Sequence, residues 1–477
     1  MTNPLWSLIQ RYFDDANGMP VINPATGEQI ARVRTYSVQE VDEIVIQAEI
    51  ARRQWAALTA KLRAERLRDW YMQIMAHREA LAALCTSECG KPIAESLAEV
   101  AYAASYIEWF AEEAKRAYGE TIPTFAAGKS VLTFKEPVGT CAAITPWNFP
   151  LAMITRKAGP ALAAGCSMIV KPAEATPLSA LALEALAAQA RIPANLFRIV
   201  PSDKPAEIGA LLCNHPTIRK ISFTGSTAVG KLLLAQAAGT VKRVSMELGG
   251  NAPFIVFDDA DIDAAIDGLM ISKFRNAGQT CVCANRVLVQ ENVHDVFVAK
   301  LVERVKALKI GNGAQTGVQI GPLIDKRAVD KVRALAEQAI ADGANLACGG
   351  APHETGPLFF QPTVLTNVTQ AMRVASSEIF GPIAPVIKFA TEAEAVQIAN
   401  DTPYGLAAYF YARDVGRIFR VLGGLEYGMV AVNEGALSSE VAPFGGIKES
   451  GIGREGSRHG LDEYLELKYA LIGGLSA

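Results

Sequence analysis

The chain is predicted to fold as an α/β protein, with parallel sheets covered by helices on both faces. Three observations predict this. Between Val138 and Met246, short apolar runs alternate with stretches of helical period. A second alternating section runs from Asn251 to about Val432. The chain has 477 residues, half of them hydrophobic and a fifth charged. That is an ordinary globular composition on a length that suits two or three domains. Alternating strands and helices build a parallel sheet buried on both sides. Such sheets bind ligands beyond the carboxyl ends of their strands.

Element by element, Val38 to about Tyr118 reads as helix, rich in Ala, Leu, Glu and Arg, with a break at Gly90-Lys91-Pro92. Thr121 to Lys135 changes to Thr, Val, Phe and Pro, as in an extended arm. Gly139 to Ile144 is a strand, followed by a Pro-rich loop and a helix from Leu151 to Ala164. Met168 to Lys171 is a strand, and Leu178 to Ala190 a helix opened by Thr176-Pro177. The alternation continues as a strand at Phe197 to Val200, a helix at Pro205 to Cys213 and a strand at Ile218 to Phe223. A helix at Thr227 to Ala238 and a strand at Lys242 to Met246 complete it. Phe254 to Phe257 is the first strand of the second section. The tail, Tyr464 to Ile472, is strand-like and needs a partner, either the arm or another subunit.

The formal charge of -3 and the lack of a basic stripe argue against a nucleic-acid partner. Met1 to Arg11 shows no secretory pattern, and no apolar run is long enough to span a bilayer. The eight cysteines are scattered, which fits a reducing, cytoplasmic setting. Cys85 and Cys89 lie one helical turn apart without a second Cys/His pair, so they read as small buried hydrophobes. The five histidines show no metal spacing, and no metal is expected.

Three segments carry the chemistry. In Phe274-Arg275-Asn276-Ala277-Gly278-Gln279-Thr280-Cys281 a thiol follows a turn-forming Asn/Gly/Gln setting, where N–H groups can converge on a reacting oxygen. Glu247-Leu248-Gly249-Gly250-Asn251 places a carboxylate at a strand end, before two glycines that allow close approach of a ligand. Pro146-Trp147-Asn148-Phe149-Pro150 offers an amide donor. Cys281 is thus the candidate nucleophile, Glu247 the candidate base and Asn148 the candidate oxyanion donor. Trp147 is placed beside them, although an aromatic next to Pro is also ordinary core. Ser226, after Gly225, opens a helix whose N-terminus can hold a pyrophosphate. Gly225 and Gly230 do not form the common dinucleotide fingerprint, and a plain helix cap is the simpler reading. Arg156 and Arg275 flank the site, and two guanidinium groups could grip the far end of an anionic substrate. The plainer alternative is that one of them pairs with a structural carboxylate.

Taken together these segments resemble the aldehyde dehydrogenase superfamily, from Asn23-Pro24-Ala25-Thr26-Gly27 to the tail. The stretch Phe274 to Arg286, with Cys281-Val282-Cys283, and Val441-Ala442-Pro443-Phe444-Gly445-Gly446 are most similar to succinate-semialdehyde dehydrogenases. The resemblance implies a Rossmann-like cofactor domain (1–118 and 138–246) and an α/β catalytic domain (247–447). It also implies a β-hairpin oligomerisation arm and tail (119–137 and 448–477), in a homodimer or homotetramer. It implies that Lys171 and Glu174 bind the adenosine ribose, where a carboxylate favours NAD over NADP. Bacterial enzymes similar to this one often lack that acid and prefer NADP. Glu378 and Phe380 are implied to hold the nicotinamide ribose and ring, and Ser438 to join Arg156 and Arg275 on the substrate carboxylate. Cys283 is either a bystander or a reversible disulfide partner of Cys281. The implied reaction is oxidation of succinate semialdehyde, or of glutarate semialdehyde or a sulfonated aldehyde, through a thioester on Cys281 that Glu247-activated water hydrolyses. Acyl transfer to coenzyme A, a non-catalytic NAD-binding role and a cysteine hydrolase are the competing classes.

Overall fold

The computed structural model describes residues 3–474. Residues 1–2 of the expected cofactor domain and 475–477 of the expected tail lie outside the described residues. The first helical section resolves into Val38–Ala56, Ala60–Ala76, Arg78–Cys89 and Ile93–Glu113. Ser37 and Glu40 cap the first of these reciprocally. Gly90 ends the third helix in a left-handed conformation, φ +84°, and an added Cβ would sit 2.6 Å from Pro322 Cγ. The expected break therefore has a cause: only glycine fits there.

These helices share one core with the next section. Trp55, Trp70, Ile107 and Phe110 are buried against Leu162 and Leu181, and Trp55 Nε1 donates to the Leu162 carbonyl at 2.8 Å. The sheet behind them has six strands. In spatial order they are Gly451–Ile452, Arg243–Glu247, Ile218–Thr224, Thr140–Ile144, Ser167–Lys171 and Phe197–Ile199. All pair in parallel except Gly451–Ile452, which runs antiparallel to Arg243–Glu247. The sequence reading placed residues 451–452 with the tail. Here they form an edge strand, with Gly451 opposite Glu247. A strand of two residues, one of them Gly, leaves no periodic signature.

The second section builds a seven-stranded sheet in the order Asn345–Cys348, Thr363–Thr366, Ile383–Phe389, Ala284–Gln290, Ala252–Val256, Ala407–Tyr411 and Met429–Val432. Only Asn345–Cys348 pairs antiparallel. Its strands Ala284–Gln290, Ala252–Val256 and Ala407–Tyr411 are buried throughout, as expected when helices cover both faces. The tail strand Leu465–Gly473 pairs antiparallel with Lys129–Pro137 of the same chain, Leu465 opposite Pro137 and Gly473 opposite Lys129. Thr121–Ile122 completes this three-stranded sheet. Of the two partners open to the tail, it takes the arm. No helix among the described residues is long and apolar enough to cross a membrane.

Candidate active site

The helix Ile262–Phe274 ends in a tight turn, Arg275–Gly278, that leads to Cys281. Asn276 and Ala277 both hold positive φ, 50° and 53°, and Gly278 follows at 75°. Left-handed non-glycine residues cost about 1–3 kcal/mol each unless their surroundings enforce them. The enforcement is visible. Asn276 N donates to the buried Glu95 carboxylate at 2.7 Å, and Gln279 Nε2 donates to the Asn276 carbonyl at 3.0 Å. Gln279 Oε1 in turn accepts from Ile324 N at 3.0 Å. Cys281 is the half-buried one of eight free thiols. Burial pushes its pKa up to about 12; Arg156 and Arg275 oppose this, while Glu247 and Glu378 add to it.

Asn148 sits in the loop after Thr140–Ile144, 4 % exposed. Its Nδ2 donates to the Gln279 carbonyl at 3.0 Å, which ties the loop to the cysteine turn. An amide nitrogen carries two hydrogens, so one remains for a substrate oxygen. Asn148 and Cys281 line one cavity of about 270 Å³ together with Trp147, Gly225, Ser226 and Phe380. The cavity opens at the carboxyl ends of Thr140–Ile144, Ile218–Thr224 and Arg243–Glu247.

That cavity suits a nicotinamide dinucleotide. Ser226 caps the helix Thr227–Ala238, accepting from Val229 N, so unpaired N–H groups face an anion there. An added Cβ on Gly249 would lie 3.0 Å from Glu378 Oε2 and 3.2 Å from Thr227 Oγ1. Glu378 lines the cavity and accepts from Gly250 N at 3.1 Å. Burial raises its pKa, against that hydrogen bond and Lys331. Trp147 and Phe380 meet edge-to-face, centroids 5.7 Å apart. Phe380 itself has φ +53°. Lys171 and Glu174 form an ion pair with each other at the end of Ser167–Lys171, the Lys buried and the Glu exposed. Neither lines the cavity.

Glu247 ends its strand and is buried. It does not line the cavity; its carboxylate lies within the electrostatic reach of Glu455, Arg156, Lys157 and Arg454. Oε2 has no hydrogen-bond partner among the described residues. Burial and the Glu455 charge raise its pKa well above the ordinary range, against Arg156 and Lys157. Burial also opposes the charge on Glu455, yet Lys157 and Arg156 hold that pKa down. Lys157 Nζ is 2.6 Å from Glu455 Oε1. The pKa values of the two carboxyl groups are thus pushed in opposite directions, Glu455 down and Glu247 up.

On the other side of Cys281 lies a second, much smaller cavity of about 10 Å³, lined by Tyr102, Phe149, Arg156, Arg275, Ser438 and Phe444 among others. The two cavities share Met153 and Cys281. Arg156 is fully buried, with Nη2 2.7 Å from Glu455 Oε2. Neither Nη2 nor Nε has an aligned acceptor, so that contact is a charge pairing that leaves donors available. Burial works against its charge, but Glu455 prevails and its pKa is raised. Its guanidinium lies 3.9 Å from the Phe444 ring centroid. Arg275 stacks on Phe149 at 5.0 Å, and among the described residues it forms no ion pair. Cys283 is buried, and its Sγ lies 3.4 Å from Lys273 Nζ. It lines neither of these cavities. A larger cavity of about 650 Å³ opens beyond Arg275 and touches none of Cys281, Glu247 and Asn148.

Several residues of this site have no sequence signal. Lys331 enters the first cavity from the helix Lys326–Ala341. Glu455 and Glu95 reach the site from segments 174 residues C-terminal and 186 residues N-terminal to Cys281. A buried carboxylate beside a left-handed turn cannot be read from spacing.

With this geometry in hand, the comparisons place the molecule. Residues 12–470 match the aldehyde dehydrogenase family. A 3-sulfolactaldehyde dehydrogenase of Pseudomonas putida is 55% identical over 462 residues, covering 97% of this chain and 95% of that protein. The succinate-semialdehyde dehydrogenase [NADP(+)] GabD of Escherichia coli strain K12 is 54% identical, covering 98% of this chain and 97% of that protein. The crystal structure of succinate-semialdehyde dehydrogenase from Burkholderia pseudomallei superimposes with a TM-score of 0.97 at 52% identity, covering 99% of both chains. The chain belongs to the aldehyde dehydrogenase family and is an NAD(P)-dependent enzyme.

Proposed function

We propose that this enzyme oxidises a short aldehyde bearing an anionic group at its far end, with succinate semialdehyde as the first substrate. The observation that carries the reading is the second cavity. Cys281, Arg156, Arg275 and Ser438 line it together. Two guanidinium groups there suit a carboxylate, and a sulfonate or a glutarate semialdehyde shares that chemistry.

In this reading Cys281 first gives up its proton to water, and the thiolate Sγ attacks the carbonyl carbon. The free Asn148 N–H and the Cys281 backbone N–H receive the developing oxyanion, and losing one such donor costs about 3 kcal/mol. A nicotinamide bound in the 270 Å³ cavity supplies the acceptor for the carbon's hydrogen and electron pair. Glu247 then removes a proton from the water that hydrolyses the thioester. That base argues for hydrolysis over transfer to coenzyme A. A catalytic set this complete argues against a non-catalytic role.

Glu174 favours NAD, since a carboxylate suits a ribose 2′-OH and repels a 2′-phosphate. The enzyme forms a homodimer or homotetramer through the arm sheet, where Leu467 and Tyr469 are exposed on the tail strand. The test is a rate comparison of succinate semialdehyde with uncharged aldehydes of similar length, using NAD and NADP. The acid should be preferred by kcat/KM, and Arg275→Ala should erase most of that preference. Equal losses for charged and neutral aldehydes would refute the anion clamp.

A further inference from the structure

Lys91 follows the Gly90 break and precedes the helix Ile93–Glu113. Its side chain is wholly buried. Nζ lies 2.5 Å from Glu99 Oε2 and donates at 2.5 Å to the backbone carbonyl of Asn148. It also lies 3.9 Å from the Phe149 ring centroid. Glu99 uses its other oxygen to accept from Leu151 N at 2.9 Å and Ala152 N at 3.3 Å, at the start of the helix Ala152–Ala164. The Asn148 carbonyl also accepts from Asn276 Nδ2 at 3.3 Å and from Cys89 Sγ at 3.8 Å. Four side chains from two distant segments, Cys89, Lys91 and Glu99 from one and Asn276 from the other, thus converge on one loop.

We infer that Lys91, fixed by Glu99, is a positioning residue for the oxyanion step: it sets the Asn148 peptide so that the free side-chain N–H meets the reacting oxygen. The inference rests on the proposed role of Asn148.

A buried ammonium is expensive to desolvate, and capping the helix needs only Glu99. Lys91 neutralises the buried Glu99 carboxylate and, beyond that, adds its contact with the Asn148 carbonyl. The Asn148 amide is planar, and one of its hydrogens already points at the Gln279 carbonyl. With the peptide pinned at its carbonyl and one hydrogen committed, the direction of the other hydrogen is set. A misplacement of about 1 Å in such a group can cost roughly 10²-fold in rate. Lys91 touches neither cavity, so its effect should fall on the transition state and leave substrate binding alone.

The test uses the whole enzyme and two reactions of the same sulfur. One is the first-turnover burst of reduced cofactor with succinate semialdehyde, which builds an oxyanion. The other is alkylation of Cys281 by iodoacetamide, which builds none. For Lys91→Met the burst should slow roughly 10²-fold, with KM and the alkylation rate unchanged, and Lys91→Arg should recover part of the burst. The double variant Lys91→Met/Glu99→Gln removes both buried charges while Gln still accepts from Leu151 N. It should show the same split if the single variant does not fold. Asn148→Ala separates the two claims. If Asn148→Ala is slow while the Lys91 variants keep a wild-type burst, the positioning role is wrong and the proposed function stands. If Asn148→Ala itself keeps a wild-type burst, the proposed oxyanion donor is wrong. Burst and alkylation falling together in both Lys91 variants would reduce Lys91 to a role in holding the fold.

Discussion

The surroundings of Cys281 and of Glu247 both raise the pKa, and each shift makes a prediction. Burial pushes the Cys281 thiol up to about 12, so cofactor-free protein should show alkylation of Cys281 rising about tenfold per pH unit from neutral to pH ~10. A plateau near the pKa of about 8.5 for an ordinary thiol would contradict this. In the proposed function the proton-free form of Glu247 is the working base. Its raised pKa therefore predicts a steady-state kcat that climbs with pH on a limb above the ordinary carboxylate range. The sign for stability is the reverse. A carboxyl whose folded pKa is raised contributes fully below its unfolded value, and that contribution is lost as pH rises through the folded one. Glu247→Gln should abolish the limb. At this scale the sequence singled out Cys281, Asn148 and Glu247 as candidates, because each sits in a motif. It missed Glu455, Lys157 and Lys91, whose partners lie far away in the chain. Gly90-Lys91-Pro92 reads only as a helix break, since spacing does not show that its Lys points inward.

At the level of elements, the five parallel strands of the first sheet and the helices between them were legible to within a residue or two, while the edge strand Gly451–Ile452 was not. Ser167–Lys171 was expected from Met168 and Arg243–Glu247 from Lys242. Clean alternation between short apolar runs and helical periods explains that success. The cysteine turn was legible as a turn, but its left-handed run was not, because Asn276 and Ala277 adopt it only under constraint from Glu95 and Gln279. Gly278 makes the constraint testable. Its φ is +75°, and an added Cβ would lie 2.2 Å from the Gly381 carbonyl oxygen. Gly381 follows Phe380, so the clash would disturb the cofactor cavity and the cysteine turn together. Gly278→Ala should lower stability by about 1–3 kcal/mol and reduce the burst of reduced cofactor, read by thermal unfolding and stopped-flow absorbance. An unchanged melting point would show that the turn relaxes freely.

For the molecule as a whole, the tail closes onto the arm over nine residue pairs, from Leu465↔Pro137 to Gly473↔Lys129. The sequence left open whether the arm or a second subunit would pair with it. Composition can mark a strand, but it does not choose the strand's neighbour. The resulting sheet exposes Ile122, Phe134, Leu467, Tyr469 and Leu471, an apolar set of the kind that marks an association surface. Leu467→Glu with Tyr469→Glu should shift the sedimenting species toward the 50.9 kDa single chain. An unchanged oligomer would place the interface elsewhere.

The most direct test of the central claim is the intact mass of Glu247→Gln after reaction with succinate semialdehyde and NAD. The expected result is one burst of reduced cofactor and a protein heavier by one succinyl group, mapped to the peptide holding Cys281. Undiminished steady turnover in that variant, or an acyl group mapped to any other residue, would contradict it.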